Sequence, residues 1–254
     1  SFLKISSYYK AILSDYYAKN SFIKTASYDE QYDHLMKQRI ALSDFYAKHL
    51  LAKGNTVTEI VANASYLQDC WETTFLGTKT SKDLITKQIE FYKPEVLFLQ
   101  DSTLFSGEQI KEIRKKFKFI KLIIGFSCSP FNATTFENFK AFDFIITYSS
   151  QFKNSFEQQG IKCYTIHHGF ETSIIEEAKV DNELKKIYDI VFIGSIFPGK
   201  GFHQTRLQII EQLLDKNIQL KIFGHLYEEN RSTLIAKQII FLFTELLRKA
   251  GIKK

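Results

Sequence analysis

With 254 residues, 44% of them hydrophobic, the chain is long enough to bury one large core or two modest ones and too apolar to be disordered throughout. Its formal net charge of +6 comes from scattered basic residues. The densest run, Arg114-Lys115-Lys116-Phe117-Lys118, falls where a predicted helix ends and cations complement the helix dipole, which argues against a nucleic-acid stripe and leaves only a mild attraction to anionic lipid or polyanionic acceptors.

Cys70, Cys128 and Cys163 are far apart, odd in number and free of C-x-x-C spacing, so neither a disulfide framework nor a zinc site is indicated and a reducing, cytoplasmic setting fits best. The nearest approach to the roughly 20 apolar residues of a membrane span, Leu234 to Leu247, is interrupted by Lys237, Gln238 and Glu245. The sequence opens on Ser1 rather than Met, and a first strand is expected to lie before it.

Ser27-Tyr-Asp-Glu30 reads as a capping box, because hydroxyl and carboxylate can each satisfy an orphan amide at a helix start. One long helix is expected from there to Gly54, with Tyr28, Tyr32, Leu35, Met36, Leu42, Phe45, Tyr46 and Leu50 at helical spacing. Thr56 to Ala62 is rich in β-branched residues and predicts a strand. A helix from Ser81 to Tyr92, ended by Pro94, then precedes the strand Val96 to Gln100. A second capping box, Ser106-Gly-Glu-Gln109, opens a helix to Phe117. The strand Ile120 to Phe126, a short helix near Thr135 to Lys140, the strand Phe142 to Thr147, a helix from Ser150 to Gln159 closed by Gly160, and the strand Lys162 to Ile166 follow. Such alternation implies an α/β fold with a mostly parallel sheet.

The charged stretch Glu176 to Lys186 reads as a linker. It separates a first domain, 1–180, from a second segment, 187–254, made of the strand Ile187 to Ile193, the helix Phe202 to Lys216, the strand Ile218 to Phe223 and an apolar helix from Ser232 to Ala250.

In doubly wound sheets ligands bind beyond the carboxyl ends of the strands. The candidates there are Gln100-Asp101-Ser102, Ser127-Cys-Ser-Pro130, Tyr148-Ser-Ser150, His167-His168-Gly169, Gly194-Ser195 and Gly224-His225. Ser, Asp and Gly are also common turn and cap formers, which accounts for many of them without function. The run Tyr188-Asp-Ile-Val-Phe-Ile-Gly-Ser195 stops at a small-residue turn before a helix, where backbone amides and the helix dipole favour a phosphate.

Leu42-Ser-Asp-Phe-Tyr46 near Lys53-Gly54, Ile60-Val-Ala-Asn-Ala64, Lys93-Pro94 to Asp101, Ile124-Gly-Phe-Ser-Cys-Ser-Pro130 and Ile166-His-His-Gly-Phe170 resemble the N-terminal domain of CgeB-like, capsule and O-antigen type GT-B glycosyltransferases of bacteria. Val191-Phe-Ile-Gly-Ser195 with His203 and Arg206 resembles the start of their C-terminal domain. The resemblance implies two Rossmann-like domains, an acceptor (glycan or lipid-linked) held mainly by the first and a nucleotide-sugar by the second. It also implies transfer without a metal or cofactor, in cell-surface polysaccharide synthesis. The sequence departs from the family after Gly224, so the second domain and its donor site are expected to be incomplete.

On this resemblance Gly194, Ser195 and Gly224 would admit the diphosphate and His203 or Arg206 would neutralise it; the alternative is a helix cap and a surface arginine. Asp101 would act as general base on an acceptor hydroxyl or else cap the next turn, His168 would contact sugar or diphosphate, and Ser127 and Ser129 would line an acceptor loop. No metal-ligand spacing occurs. The rival reading is a non-catalytic α/β module that binds a partner or ligand in the same crevice and forms a homodimer through its apolar helices. A nicotinamide-dependent dehydrogenase lacks its G-x-G-x-x-G.

Overall fold

Short apolar strands separated by helices have the long crossovers that parallel pairing needs, and a computed structural model shows them pairing so; it describes residues 1–78, 83–129, 133–177, 187–196, 204–216 and 218–224. The chain divides into two units, Ser1–Thr172 and Ser173–Lys254. In the first, strands β1 (Phe2–Ser6), β2 (Val57–Val61), β3 (Val96–Leu99), β4 (Leu122–Phe126), β5 (Phe144–Thr147) and β6 (Cys163–Thr165) form one parallel sheet of order β2-β1-β3-β4-β5-β6. This is a Rossmann-like, doubly wound α/β architecture whose winding reverses between β1 and β3.

Connecting the strands are helices α1 (Lys10–Lys19), α2 (Tyr28–Lys37), α3 (Phe45–Leu51), α4 (Ser65–Leu76), α5 (Leu84–Tyr92), α6 (Gly107–Lys116), α7 (Ala133–Phe139) and α8 (Ser150–Gln158). One sheet face, with Leu3, Ile5, Leu97, Leu99, Ile123 and Ile145, packs against Ile89 of α5, Ile110 and Ile113 of α6, Phe139 of α7 and Phe156 of α8. Gly125 of β4 belongs to this contact: a Cβ there would meet Ile145 and Phe142 side chains at 2.7–2.9 Å. A second cluster joins Val61 to Leu13, Tyr16 and Tyr17 of α1, Leu35 and Met36 of α2 and Leu67 of α4. The apolar stripe of α2 is therefore spent inside its own unit.

Two expectations are corrected. A strand that sequence reasoning did not expect within the chain occupies Phe2–Ser6, inside the sheet between β2 and β3. Lys4 hides it from a hydrophobicity reading, yet Lys4 is 1% exposed. Its partner is Glu59, opposite it in the β1–β2 register and 2% exposed, with Nζ 2.7 Å from Oε2. Burial pulls Lys4 below the ordinary lysine range and pushes Glu59 above the ordinary carboxylate range, each opposed by the charge of the other.

The long helix from Ser27 to Gly54 is likewise two helices. Its capping box forms as expected, with Ser27 Oγ accepting from the Glu30 amide. The break comes at residues 38–44, where Arg39, Ala41 and Ser43 all have positive φ, of 53°, 53° and 39°. The buried pair requires this. Lys4 Nζ donates to the Ser43 carbonyl at 2.7 Å, and the Ala47 amide donates to Glu59 Oε1 at 2.7 Å. In a continuous helix both backbone groups would already be committed; at the start of α3 the Ala47 amide is one of the orphan donors. Helix α4 was not anticipated, and the expected helix Ser232 to Ala250 lies outside the described residues.

In the second unit, α9 (Ser173–Glu177) precedes β7 (Ile190–Ile193), α10 (Gln204–Leu214) and β8 (Leu220–Phe223), and β7 and β8 pair in parallel. Ile193 and Phe223 are 80% and 52% exposed. From residue 178 on, the expected linker lies outside the described residues.

Lys4→Met should cost about 3–5 kcal/mol in urea denaturation, because it strands a buried carboxylate, whereas Lys4→Met/Glu59→Gln should recover most of that loss by removing both charges while keeping an acceptor for Ala47. Burial also pushes Tyr16, Tyr17 and Tyr46 each up to about 12. These phenols are raised above their unfolded value near 10, so their contribution is complete below pH 10 and is lost as pH climbs to 12. Denaturation midpoints should fall over that window, with tyrosinate absorbance lagging behind that of the unfolded chain.

Candidate functional site

Where the winding reverses, the loops after β1 and β3 diverge and leave a crevice. A cavity of about 550 Å³ occupies this place, lined by Ser7, Tyr8 and Tyr9 after β1, Gln100, Asp101, Ser102 and Thr103 after β3, Phe126, Ser127, Cys128 and Ser129 at the end of β4, and Thr135 and Phe139 of α7.

Each wall is held by hydrogen bonds that follow from the local sequence. Asn63, just past β2, clamps the β1 loop: its Oδ1 accepts from the Tyr8 amide at 2.9 Å and its Nδ2 donates to the Tyr8 carbonyl at 2.6 Å. The Ser102 hydroxyl donates to the Phe126 carbonyl at 2.8 Å, tying the β3 loop to β4. Ser127 is buried, and its amide donates to Ile146 in β5. The Tyr148 amide donates to Cys128 Sγ at 3.0 Å.

Asp101 is oriented by its own turn. Its Oδ1 accepts from the Thr103 amide at 3.1 Å and the Thr103 hydroxyl at 2.6 Å, the capping role that sequence offered as the alternative. Oδ2 has no partner among the described residues, so the group caps and still presents one oxygen at the cavity wall. Gln100 Oε1 is a buried acceptor without a partner in the same wall. Hydroxyls, an amide and one carboxylate, with no cationic side chain among the described lining residues, suit a neutral, hydroxyl-bearing ligand with the exposed Tyr9 ring beside it.

In the second unit β7 delivers Gly194 and Ser195 to a turn against the end of β8. The Gly194 amide donates to the Phe223 carbonyl at 3.0 Å, and a Cβ on Gly224 would collide with the Gly194 carbonyl oxygen, so only glycine fits there. Arg206, in the first turn of α10, donates from Nη1 to the Ser195 carbonyl at 3.3 Å.

No family model matches this chain, and no curated protein matches it. Of the residues singled out by sequence, Asp101, Ser127 and Ser129 share the first-unit crevice, and Gly194, Ser195, Arg206 and Gly224 come together in the second unit. His203 lies outside the described residues. His168 is not part of the Asp101 crevice; it lies against Tyr148 with ring centroids 3.5 Å apart and the rings tilted by 36°, while His167 lines a different cavity. Sequence reasoning missed Ser7, Tyr8, Tyr9 and Asn63, since the β1 loop has no meaning until β1 is recognised. The signal was Phe2-Leu-Lys-Ile5 running into Ser6-Ser-Tyr-Tyr9.

Among the described residues no group of three or more His, Cys, Asp or Glu side chains is placed to hold a metal, and no helix is long and apolar enough to cross a membrane. Asn63→Ala, by removing both bonds to Tyr8, should cost about 1–3 kcal/mol and speed amide exchange at residues 7–9 more than elsewhere in the unit.

Proposed function

We propose that the chain belongs to a metal-independent GT-B type glycosyltransferase, which seats an acceptor in the switch-point crevice and the diphosphate of a nucleotide-sugar at the Gly194–Ser195 turn. The observation that carries this reading is the position of Arg206, whose guanidinium reaches back over that turn to the Ser195 carbonyl. A strand, a glycine turn and a helix bearing an arginine in its first turn bring helix dipole and fixed charge toward a phosphate in one place.

In the reaction this implies, the acceptor hydroxyl gives its proton to Asp101 Oδ2 as its oxygen bonds to the anomeric carbon. The bond from that carbon to the diphosphate breaks, and the nucleoside diphosphate leaves with its added charge met by Arg206. The absence of any cation from the described crevice lining favours an acceptor whose entering end is a neutral sugar rather than a phosphate or uronate.

Calorimetric titration of UDP, GDP, ADP and CMP should find one that binds, and Arg206→Ala should weaken it at least tenfold, about 1.4 kcal/mol. Asp101→Asn should lower the transfer rate while leaving nucleotide affinity unchanged. Failure of every nucleotide to bind, or equal affinity with and without Arg206, would sink the proposal.

A further inference from the structure

The cavity that His167 lines has a composition opposite to that of the switch-point crevice. It encloses about 400 Å³ within the first unit, between α3 with the turn before it and the loops that follow β5 and β6. Its walls are apolar and aromatic: Phe45, Tyr46 and Leu50 on one side, Tyr148, Ile166 and Phe170 on the other. The two cavities share no lining residue. Phe126 of the crevice meets Tyr148 of this cavity edge to face, with centroids 5.0 Å apart, so this ring pair stands between them.

The polar groups divide into a closed set and an open one. Glu171, with a side chain only 3% exposed, is the one carboxylate among the described lining residues, and both its oxygens are engaged: Lys48 Nζ lies 2.8 Å from one and His49 Nε2 2.6 Å from the other. It leaves no negative charge for a ligand to oppose. Lys53 and His167 line the cavity and are both exposed, and neither side chain has a partner among the described residues. An aromatic-walled cavity whose acid is already neutralised and whose spare side chains are basic is complementary to an apolar body with one anionic head.

We infer that this cavity is a second ligand site, independent of the proposed transferase chemistry, for a small amphipathic anion whose apolar part lies between Tyr46 and Tyr148 and whose head meets Lys53 and His167. A cation or a neutral alcohol of equal length would gain the same apolar burial without the charge contact. A sugar would leave the aromatic walls without enough apolar surface to cover.

The probes are decanoate and decyltrimethylammonium, titrated calorimetrically into the full chain below their micelle concentrations. Decanoate should bind saturably at one site, and the cationic analogue at least tenfold more weakly. Lys53→Met should weaken decanoate about threefold and Lys53→Glu more than tenfold, with unchanged melting temperature, because the side chain is exposed and holds no partner. Addition of a nucleoside diphosphate should leave decanoate affinity unaltered, which separates this site from the one proposed around Arg206. Equal binding of the two probes, absence of saturable decanoate binding, or unchanged affinity in Lys53→Glu would overturn the assignment.

Discussion

A lysine and a glutamate placed opposite each other on adjacent parallel strands, both within 2% of complete burial, govern the part of the first unit around α3. Taking two charges out of water costs several kcal/mol per ion, and their mutual attraction offsets this only when the remaining donors and acceptors are satisfied as well. Lys4 needs an acceptor beyond Glu59 and finds the Ser43 carbonyl; Glu59 needs a further donor and finds the Ala47 amide. Neither group exists in available form inside a continuous helix. The chain therefore leaves the helix after α2, passes through three residues with positive φ at a cost of roughly 1–3 kcal/mol each, and starts again at α3.

That restart determines where α3 points its side chains. Tyr46 lies 5.2 Å from the Lys4 ammonium and packs on Phe98 of β3 at 5.4 Å, while Lys48 and His49, one turn on, reach Glu171 beyond β6. The α3 cavity is the space enclosed between this helix and the loops it reaches. On the other side of the Phe126–Tyr148 ring pair lies the crevice, whose existence depends on topology: β1 sends the chain to one side of the sheet and β3 to the other. One protein surface thus holds two cavities of contrasting chemistry, one hydroxyl-rich with a lone carboxylate, the other aromatic with unpaired basic groups.

The glycine turn of the second unit rests on a simpler constraint, close approach of two backbones. Gly194 and Gly224 sit at the ends of paired strands, and a side chain on Gly224 would strike the Gly194 carbonyl. A small residue at that point follows from packing, and a phosphate site is what such a turn makes chemically available.

Local chemistry determined much of this by itself. Both capping boxes formed where Ser27 with Glu30 and Ser106 with Gln109 stood three residues apart, because those bonds involve only neighbours in the chain. Strands β2 to β6, and the placing of Asp101, Ser127 and Ser129 just beyond strand ends, were legible from composition: runs of β-branched and apolar residues bounded by turn residues read as strands whatever they pair with. Strand β1 was not legible, since a buried lysine looks like a surface residue until Glu59 is opposite it, nor was the break at residues 38–44, where the pattern of α2 and α3 is helical throughout. Tertiary structure alone also decided that Asp101 shares a wall with the β1 loop and that His168 instead packs against Tyr148. Each of these outcomes depends on contacts between residues distant in the chain, and periodicity carries no information about which distant groups will meet.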